Sequence, residues 1–293
     1  MKLQVDAPSE IWLKLENLQP IASFKIRGAG NAVLSAPREE IERGLVTTST
    51  GNMAQGVAWM ARELGVPATI VAPENASANK LAAVERLGGN IVRIPWDEWW
   101  AAMEAGRVDG VAGLFIHPVQ NDAVMAGNGT AGLELVDDLA DFDAVVIPWG
   151  GGGLSTGIAS AVRALRPDVR IYVCEPETAA PMAAAMANGR VPTKVEYKPS
   201  FVDGAGAGAL LPRMWELAEP LVTDAFAIPL AEAAAAVRTL VERARVVGEG
   251  AAGLSVAAAM AGRVEAERVV CIVSGGNIDS SRLATILGGG VPD

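Results

Sequence analysis

Residues 144–165 read AVVIPWGGGGLSTGIASAVRAL, an apolar run, four glycines and then a helical pattern. The short, β-branched apolar run is typical of a buried parallel strand, and apolar residues recur at helical spacing after the glycines. The glycines are Gly150, Gly151, Gly152 and Gly153. Their N–H groups can converge, and the positive end of the following helix favours an anion such as phosphate. The spacing matches neither the dinucleotide nor the nucleotide-triphosphate motif, so the glycines alone do not name the ligand.

The alternation of strand and helix continues along most of the 293 residues. Examples are the strand predicted at 11–15 and the helices predicted at 52–64 and 129–139. This order predicts an α/β fold with right-handed crossovers and a mostly parallel sheet covered on both faces. Two segments differ: residues 189–212 lack periodicity, as binding loops and lids do, and residues 230–247 predict one long helix.

Composition excludes several classes of protein. No apolar run is long enough to span a bilayer, and the amino-terminal residues do not resemble a secretory signal. A net charge of −10 argues against a nucleic-acid partner. His117 is the single histidine, which argues against a three-histidine metal site and a serine–histidine relay. Cys174 and Cys271 lie in strand-like runs, so we expect buried thiols in a reducing compartment, not a disulfide framework.

Three further segments lie where ligands bind in open α/β sheets. Residues 49–53 open a helix whose N–H groups could hold a carboxylate, although simple capping by Ser49 or Thr50 explains the pattern as well. Residues 274–277 end the last strand, and a tight turn is an equally good interpretation. Lys25 begins a helix whose positive end favours a neutral, nucleophilic amine, whereas most lone lysines are solvated charges.

The segment SFKIRG at 23–28, preceded by LKLENLQP at 13–20, closely resembles the threonine/serine dehydratase and serine racemase family. The similarity continues in the family's order through residues 49–55, 117–118, 127–130, 148–154, 203–204 and 274–277. These proteins are fold-type II pyridoxal-phosphate enzymes related to the tryptophan synthase β-subunit. The resemblance implies two intimately packed lobes, each with a mostly parallel sheet flanked by helices. It divides the chain into a large cofactor-binding domain, 1–43 plus 122–293, and a small domain, 44–121.

The resemblance also implies roles for single residues. Lys25 would bind pyridoxal 5′-phosphate covalently and move the substrate's Cα proton. Asn52 would hydrogen-bond the 3′-oxygen of the cofactor ring, and Ser274 would face the ring nitrogen. The other implied cofactor contacts are Phe24, Gly150, Gly151, Gly152, Gly153 and Leu154. The substrate carboxylate would be held by Ser49, Thr50, Gly51, Asn52 and Met53. Thr50 is also a candidate catalytic residue, because racemases of this family carry a proton-returning serine there.

A serine at the ring nitrogen predicts the type of reaction. A carboxylate there would make the ring a deep electron sink, whereas a neutral hydroxyl makes it a weak one and favours prompt loss of a β-substituent. We therefore expect an ammonia-lyase that converts a β-hydroxy amino acid, L-threonine or L-serine, into a 2-oxo acid and ammonia. A racemase, a dehydratase of another hydroxy amino acid such as hydroxyaspartate, and a non-catalytic binding protein stay open as alternatives.

The chain departs from the family pattern at several positions. Met53 replaces a histidine, and residues 21–22, Ile-Ala, replace Thr-Gly. Glu175 occupies the first position of a divalent-cation site, but Pro181 replaces its aspartate, so we expect no metal; Glu175 could instead begin a helix. The family places Asp203 near the substrate or lid and Glu249 near the ring, although each could be a loop charge or a cap. We further expect a small amino-acid substrate, no membrane partner, a cytoplasmic homodimer and no regulatory domain after residue 293.

Overall fold

The computed structural model describes residues 1–74, 76 and 78–293. The strands in this part of the chain are β1 (Glu10–Leu15), β2 (Leu45–Thr47), β3 (Ala68–Pro73), β4 (Asn90–Ile94), β5 (Leu114–Phe115), β6 (Ala144–Pro148), β7 (Arg170–Pro176), β8 (Asp224–Ile228) and β9 (Arg268–Val273). The helices are α1 (Lys25–Leu34), α2 (Arg38–Ile41), α3 (Asn52–Leu64), α4 (Ala78–Arg86), α5 (Trp96–Ala105), α6 (Asp122–Asp138), α7 (Gly153–Leu165), α8 (Pro181–Ala187), α9 (Pro212–Ala218), α10 (Leu230–Thr239), α11 (Gly250–Met260) and α12 (Ser280–Leu287). None of the described helices is long and apolar enough to cross a bilayer.

The larger of two compact units comprises residues 1–23 and 129–293. Its five strands form a sheet in the order β1-β9-β6-β7-β8, and all of its pairings are parallel. In this register Glu10 lies opposite Arg268, and Leu15 lies opposite Val273. Helix α11, buried along nearly its whole length, packs against β6, β7 and β9. The inner strands are apolar on both faces because they are covered on both sides.

The second unit comprises residues 24–128. Four strands form a parallel sheet in the order β4-β3-β2-β5. Helix α3 packs against β2, β3 and α1. Its buried residues Met53, Ala54, Val57 and Ala61 lie at helical spacing and form one apolar face of the core.

The parallel α/β architecture confirms the prediction from sequence. The helix at Asn52–Leu64 and the irregular segment from 189 to 211 are also confirmed. Two helix predictions are wrong in extent. The helix predicted at 129–139 begins at Asp122, and the helix predicted at 230–247 ends at Thr239, followed by a π-helical turn, Leu240–Ala244. Arg245 then takes a left-handed φ of 60°, which stops the helix.

Candidate active site

Lys25 is the first residue of α1 and is half-buried. Its Nζ donates a hydrogen bond to the carbonyl oxygen of Pro118 at 3.0 Å. The same Nζ lies 5.2 Å from the centre of the Phe24 ring, within the range at which an ammonium group is attracted to an aromatic face. The amine is therefore held in a defined position instead of extending into solvent.

Close packing of α1 on the first half of α6 fixes the helix that begins with Lys25. A Cβ on Gly28 would lie 2.7 Å from the Oδ1 of Asn128, and a Cβ on Gly127 would lie 2.3 Å from the carbonyl oxygen of Arg27. No side chain fits at either position, because real Cβ atoms do not approach other atoms so closely. Glycine at 28 and 127 is thus required by the approach of the two helices.

The single histidine supports the turn that presents the Pro118 carbonyl. The Nδ1 of His117 accepts hydrogen bonds from the N–H groups of Val119, at 3.0 Å, and Gln120, at 2.9 Å. A ring nitrogen that accepts two hydrogen bonds carries no proton. Burial lowers the pKa of His117, and the positive charge of Lys25 acts in the same direction. His117 is a neutral support for the lysine's acceptor, a role that the sequence did not predict.

The amino end of α3 is formed by residues 49–53. Gly51 occupies the capping position, and no side chain caps the helix, so the interpretation of Ser49 or Thr50 as a cap is wrong. Instead, the Oγ of Ser49 accepts a hydrogen bond from the N–H of Gly51 at 3.3 Å. The positive end of a 13-residue helix without a side-chain cap suits a carboxylate.

The side chain of Met53 lies in the apolar core of its unit and is only 1% exposed. The Met53 side chain is therefore part of the core of its unit and offers no polar group to a ligand. The histidine that the family usually carries at this position has a polar ring that would need hydrogen-bond partners in such a core. The replacement by methionine thus agrees with the apolar surroundings.

In the other unit, the glycine run connects β6 to α7, and two of its glycines leave little or no room for a Cβ. Gly152 has a φ of 95°, and a Cβ there would lie 2.7 Å from the ring of buried Trp149. A Cβ on Gly150 would lie 3.3 Å from the carbonyl oxygen of Gly204. The N–H of Gly206 donates to the carbonyl of Trp149 at 2.8 Å, which joins the irregular segment to this turn.

The first turn of α7 has the properties of an anion site. No side-chain hydrogen bond caps the helix at Gly152. The Oγ1 of Thr156 is buried and finds no hydrogen-bond partner in the part of the chain that the structure describes, whereas the neighbouring Ser155 Oγ donates to the Pro148 carbonyl at 3.0 Å. A glycine cradle at an uncapped helix start fits the phosphate group of pyridoxal phosphate.

Ser274 follows β9 and is buried. The residues after it are hydrogen-bonded to residues 21–23, which directly precede Phe24 and Lys25 in the chain. The N–H of Gly276 donates to the carbonyl of Ala22 at 2.9 Å, and Ala22 has a left-handed φ of 52°. Glycine adopts this conformation more readily than alanine, so the departure from the family's Thr-Gly is visible as local backbone strain.

Asp203 and Glu249, which the family resemblance places near the pocket, differ in their surroundings. Glu249 is buried at the start of α11 without capping it through its side chain. A Cβ on Gly275 would lie 2.6 Å from the Oε1 of Glu249, and one on Gly204 would lie 3.2 Å from the same atom. Glu249 therefore borders the loop that carries Ser274. Asp203 lies 3.4 Å from Arg282, and both side chains are about one-third exposed, as in a loop ion pair.

The position of the family's divalent cation does not fit a metal in this chain. Both oxygens of buried Glu175 accept backbone hydrogen bonds at the start of α8, from Met182 at 3.0 and 3.2 Å and from Ala183 at 2.9 Å. Burial raises the pKa of Glu175 to about 8, although these hydrogen bonds lower it. Pro181 contributes no oxygen ligand from its side chain. Within the described residues, no group of three His, Cys, Asp or Glu side chains could hold a metal ion.

Comparison with known proteins agrees with this geometry. Residues 2–275 match the family model described as pyridoxal-phosphate dependent enzyme. The L-threonine ammonia-lyase of Thermotoga maritima is 39% identical over 272 residues, which cover 92% of this chain and 67% of that protein. The threonine deaminase of T.th. has a TM-score of 0.85 at 31% identity, covering 95% of this chain and 92% of its own. Maize serine racemase has a TM-score of 0.84 at 30% identity, and the match covers 97% of this chain and 90% of the racemase chain.

The resemblance predicted from the sequence is thereby confirmed, and so is pyridoxal phosphate as the cofactor. The glycine run at an uncapped helix start and the positioned lysine are features of this chain's own structure and are compatible with that cofactor. On both grounds, the chain belongs to the pyridoxal-phosphate dependent enzymes.

Proposed function

We propose that the protein is an ammonia-lyase that dehydrates and deaminates a β-hydroxy amino acid, L-threonine or L-serine. The observation that carries this proposal is Ser274, a buried neutral hydroxyl at the end of β9, where the family places the residue facing the ring nitrogen. A neutral group at that nitrogen favours prompt β-elimination. Relatives named L-threonine ammonia-lyase, 37–39% identical to this chain, support the same substrate class.

The residues of the chain have separable tasks in this proposal. When bound, pyridoxal phosphate supplies the electron sink that makes the substrate's Cα–H acidic. Lys25 would hold the cofactor covalently, and its Nζ would accept the substrate's Cα proton. The Pro118 carbonyl orients that Nζ. Residues 49–53 would bind the substrate carboxylate through the amino end of α3, and Asn52 would hydrogen-bond the 3′-oxygen of the cofactor ring.

The cofactor's remaining contacts would come from the glycine run and from single residues of the family motifs. Gly150, Gly151, Gly152, Gly153 and Leu154 would bind the phosphate through backbone N–H groups at the start of α7. Phe24 would contribute an apolar contact beside Lys25. By the family resemblance, Glu249 would lie near the ring and Asp203 near the substrate or the lid.

Replacement of the lysine tests the proposal. Lys25→Ala should lose both the release of 2-oxo acid and ammonia and the cofactor's absorbance near the visible edge, because no amine remains to hold the cofactor or move the proton. The matched control is Lys198→Ala, which removes an exposed lysine and should keep both properties. A yellow, active Lys25→Ala protein would refute the assignment. A wild-type protein that binds cofactor and amino acid without releasing ammonia would support the non-catalytic alternative instead.

Racemisation is the second candidate, and Thr50 is the observation that favours it. Thr50 is partly exposed beside the start of α3 and carries a hydroxyl where racemases carry a proton-returning serine. Chiral analysis of the remaining substrate, measured beside 2-oxo acid formation, separates the two reactions. If inversion occurs through Thr50, Thr50→Ala should abolish inversion and spare elimination. The same panel of substrates should include hydroxyaspartate.

We also propose a cytoplasmic homodimer, with functional lobes at 1–43 plus 122–293 and at 44–121. The two free, buried thiols, Cys174 and Cys271, support a reducing compartment. Sedimentation of the holoenzyme tests the dimer, and limited proteolysis followed by mass determination tests the domain boundaries.

A further inference from the structure

Helix α5 carries three tryptophans, and the proposed reaction uses none of them. Trp99 is anchored, because its Nε1 donates to the carbonyl oxygen of Val71 at 3.0 Å. Trp96 and Trp100 lie one helical turn apart and are 52% and 47% exposed. Their ring centres are 6.5 Å apart, and the ring planes are only 18° from parallel. Two large, half-exposed aromatic rings on one short helix indicate a surface that contacts another molecule.

The two rings border a cavity of about 390 Å³ that is lined by Trp96, Asp97, Trp100 and Ala101. This volume lies within the range of small-molecule sites, roughly 300–1,000 Å³. Asp97 supplies the one charged side chain among these four residues. Indole faces are electron-rich, and the carboxylate is negative, so both kinds of group attract a cation. The chain's net charge of −10 acts in the same direction at longer range.

We propose that the Trp96–Asp97–Trp100 cavity binds an organic cation of the guanidinium class. A guanidinium is planar and weakly hydrated, so it can stack on an indole face. It can at the same time donate N–H groups to a carboxylate such as that of Asp97. A compact ammonium is more strongly hydrated and matches this combination of groups less well.

A hydrogen bond connects α5 to the segment that leads into residues 49–53, the proposed carboxylate loop. The Oγ1 of Thr48 donates to the Sδ of Met103 at 3.4 Å, and Thr48 directly precedes residues 49–53. A ligand that shifts α5 would therefore also move Thr48 and, with it, the start of residues 49–53. As a consequence that rests on the proposed function, a saturating cation should change the KM for the amino acid more than kcat. A KM that does not change would contradict this coupling.

Titration of the holoenzyme with 1-butylguanidinium, followed by tryptophan fluorescence, tests binding without reference to activity. Butylurea is the control ligand, because it has nearly the same shape without the charge. We expect saturable binding of butylguanidinium at about millimolar concentration and none of butylurea. Asp97→Asn should weaken binding about tenfold, as expected for losing roughly 1.4 kcal/mol. Glu98→Gln is the matched control, because Glu98 lines a neighbouring cavity, and its affinity should stay unchanged.

Several outcomes would overturn the site. Equal binding of butylurea, no saturation with butylguanidinium, or an unchanged affinity in Asp97→Asn would each contradict it. Trp96→Leu and Trp100→Leu should both abolish the fluorescence response while keeping the circular dichroism of the folded protein. If either variant instead changes the sedimenting mass, the surface is a contact between two copies of the chain, and the cation site is wrong.

Discussion

Replacing Ala22 by glycine should stabilise the protein. A non-glycine residue in the left-handed region costs about 1–2 kcal/mol, and Ala22 has a φ of 52°. Glycine removes that cost but adds about 0.4–1 kcal/mol of backbone entropy to the unfolded chain. The difference predicts a free energy of unfolding for Ala22→Gly about 0.5–1 kcal/mol higher than that of the wild type. The hydrogen bond from Gly276 to the backbone carbonyl at position 22 needs no side chain and should be kept.

Urea unfolding of the holoenzyme, followed by circular dichroism, measures this difference. The matched control is Ala261→Gly, because Ala261 is exposed and has an ordinary φ of −79°. At position 261 glycine only increases the backbone entropy of the unfolded chain, so the urea concentration at the unfolding midpoint should fall. The two alanine-to-glycine changes should thus shift the midpoint in opposite directions. A lower midpoint for Ala22→Gly, or the same shift in both variants, would refute the strain argument.

Three further predictions concern stability and cofactor binding. Burial raises the pKa of Glu175 from 4.5 to about 8. Between these two pH values the folded protein retains a proton that the unfolded chain loses. The contribution of Glu175 to the free energy of unfolding is therefore full below about pH 4.5 and is lost as the pH rises through 8. Glu175→Gln should flatten that decline between about pH 5 and pH 9 in urea unfolding. Gly152→Ala, which collides with Trp149 and strains the backbone, should lower cofactor affinity at least about tenfold in an absorbance titration. Gly28→Ala should lower the free energy of unfolding by about 1–3 kcal/mol, whereas Gly51→Ala, whose Cβ would meet no atom within 4 Å, should change it by less than about 0.5 kcal/mol.

The parts of the fold that the sequence predicts are those with a local signal. The connection from β6 to α7 is predictable, because a continuous apolar run typical of a buried strand is followed, after four glycines, by apolar residues at helical spacing. The start of α6 is not predictable from the sequence, because glycines such as Gly127 are typical of turns. The structure uses Gly127 inside a helix, where Arg27 of α1 approaches too closely for a side chain. Local sequence does not report such a contact between distant segments.

The candidate site shows the same division. Lys25 and the glycine run are recognisable because residue type and position carry their chemistry. The Pro118 carbonyl that accepts the lysine's hydrogen bond is a backbone atom, and every residue has one, so no sequence signal identifies it. The surroundings of Glu175 were equally hidden. A glutamate whose carboxyl group accepts two backbone N–H hydrogen bonds and a glutamate that binds a metal are the same residue type in the sequence.

The pairing of β1 with β9 has a consequence for how the protein is made. These neighbouring strands are contributed by segments 258 residues apart, as in the pair Glu10 and Arg268. During synthesis, β1 emerges before β9 and can pair with it only after residues 268–273 have been made. The uninterrupted unit of residues 24–128 has all of its strands much earlier and can fold while the rest is still being translated. Completion of the five-stranded sheet therefore follows synthesis of β9, and until then β1 lacks the parallel partner that satisfies its backbone N–H and C=O groups.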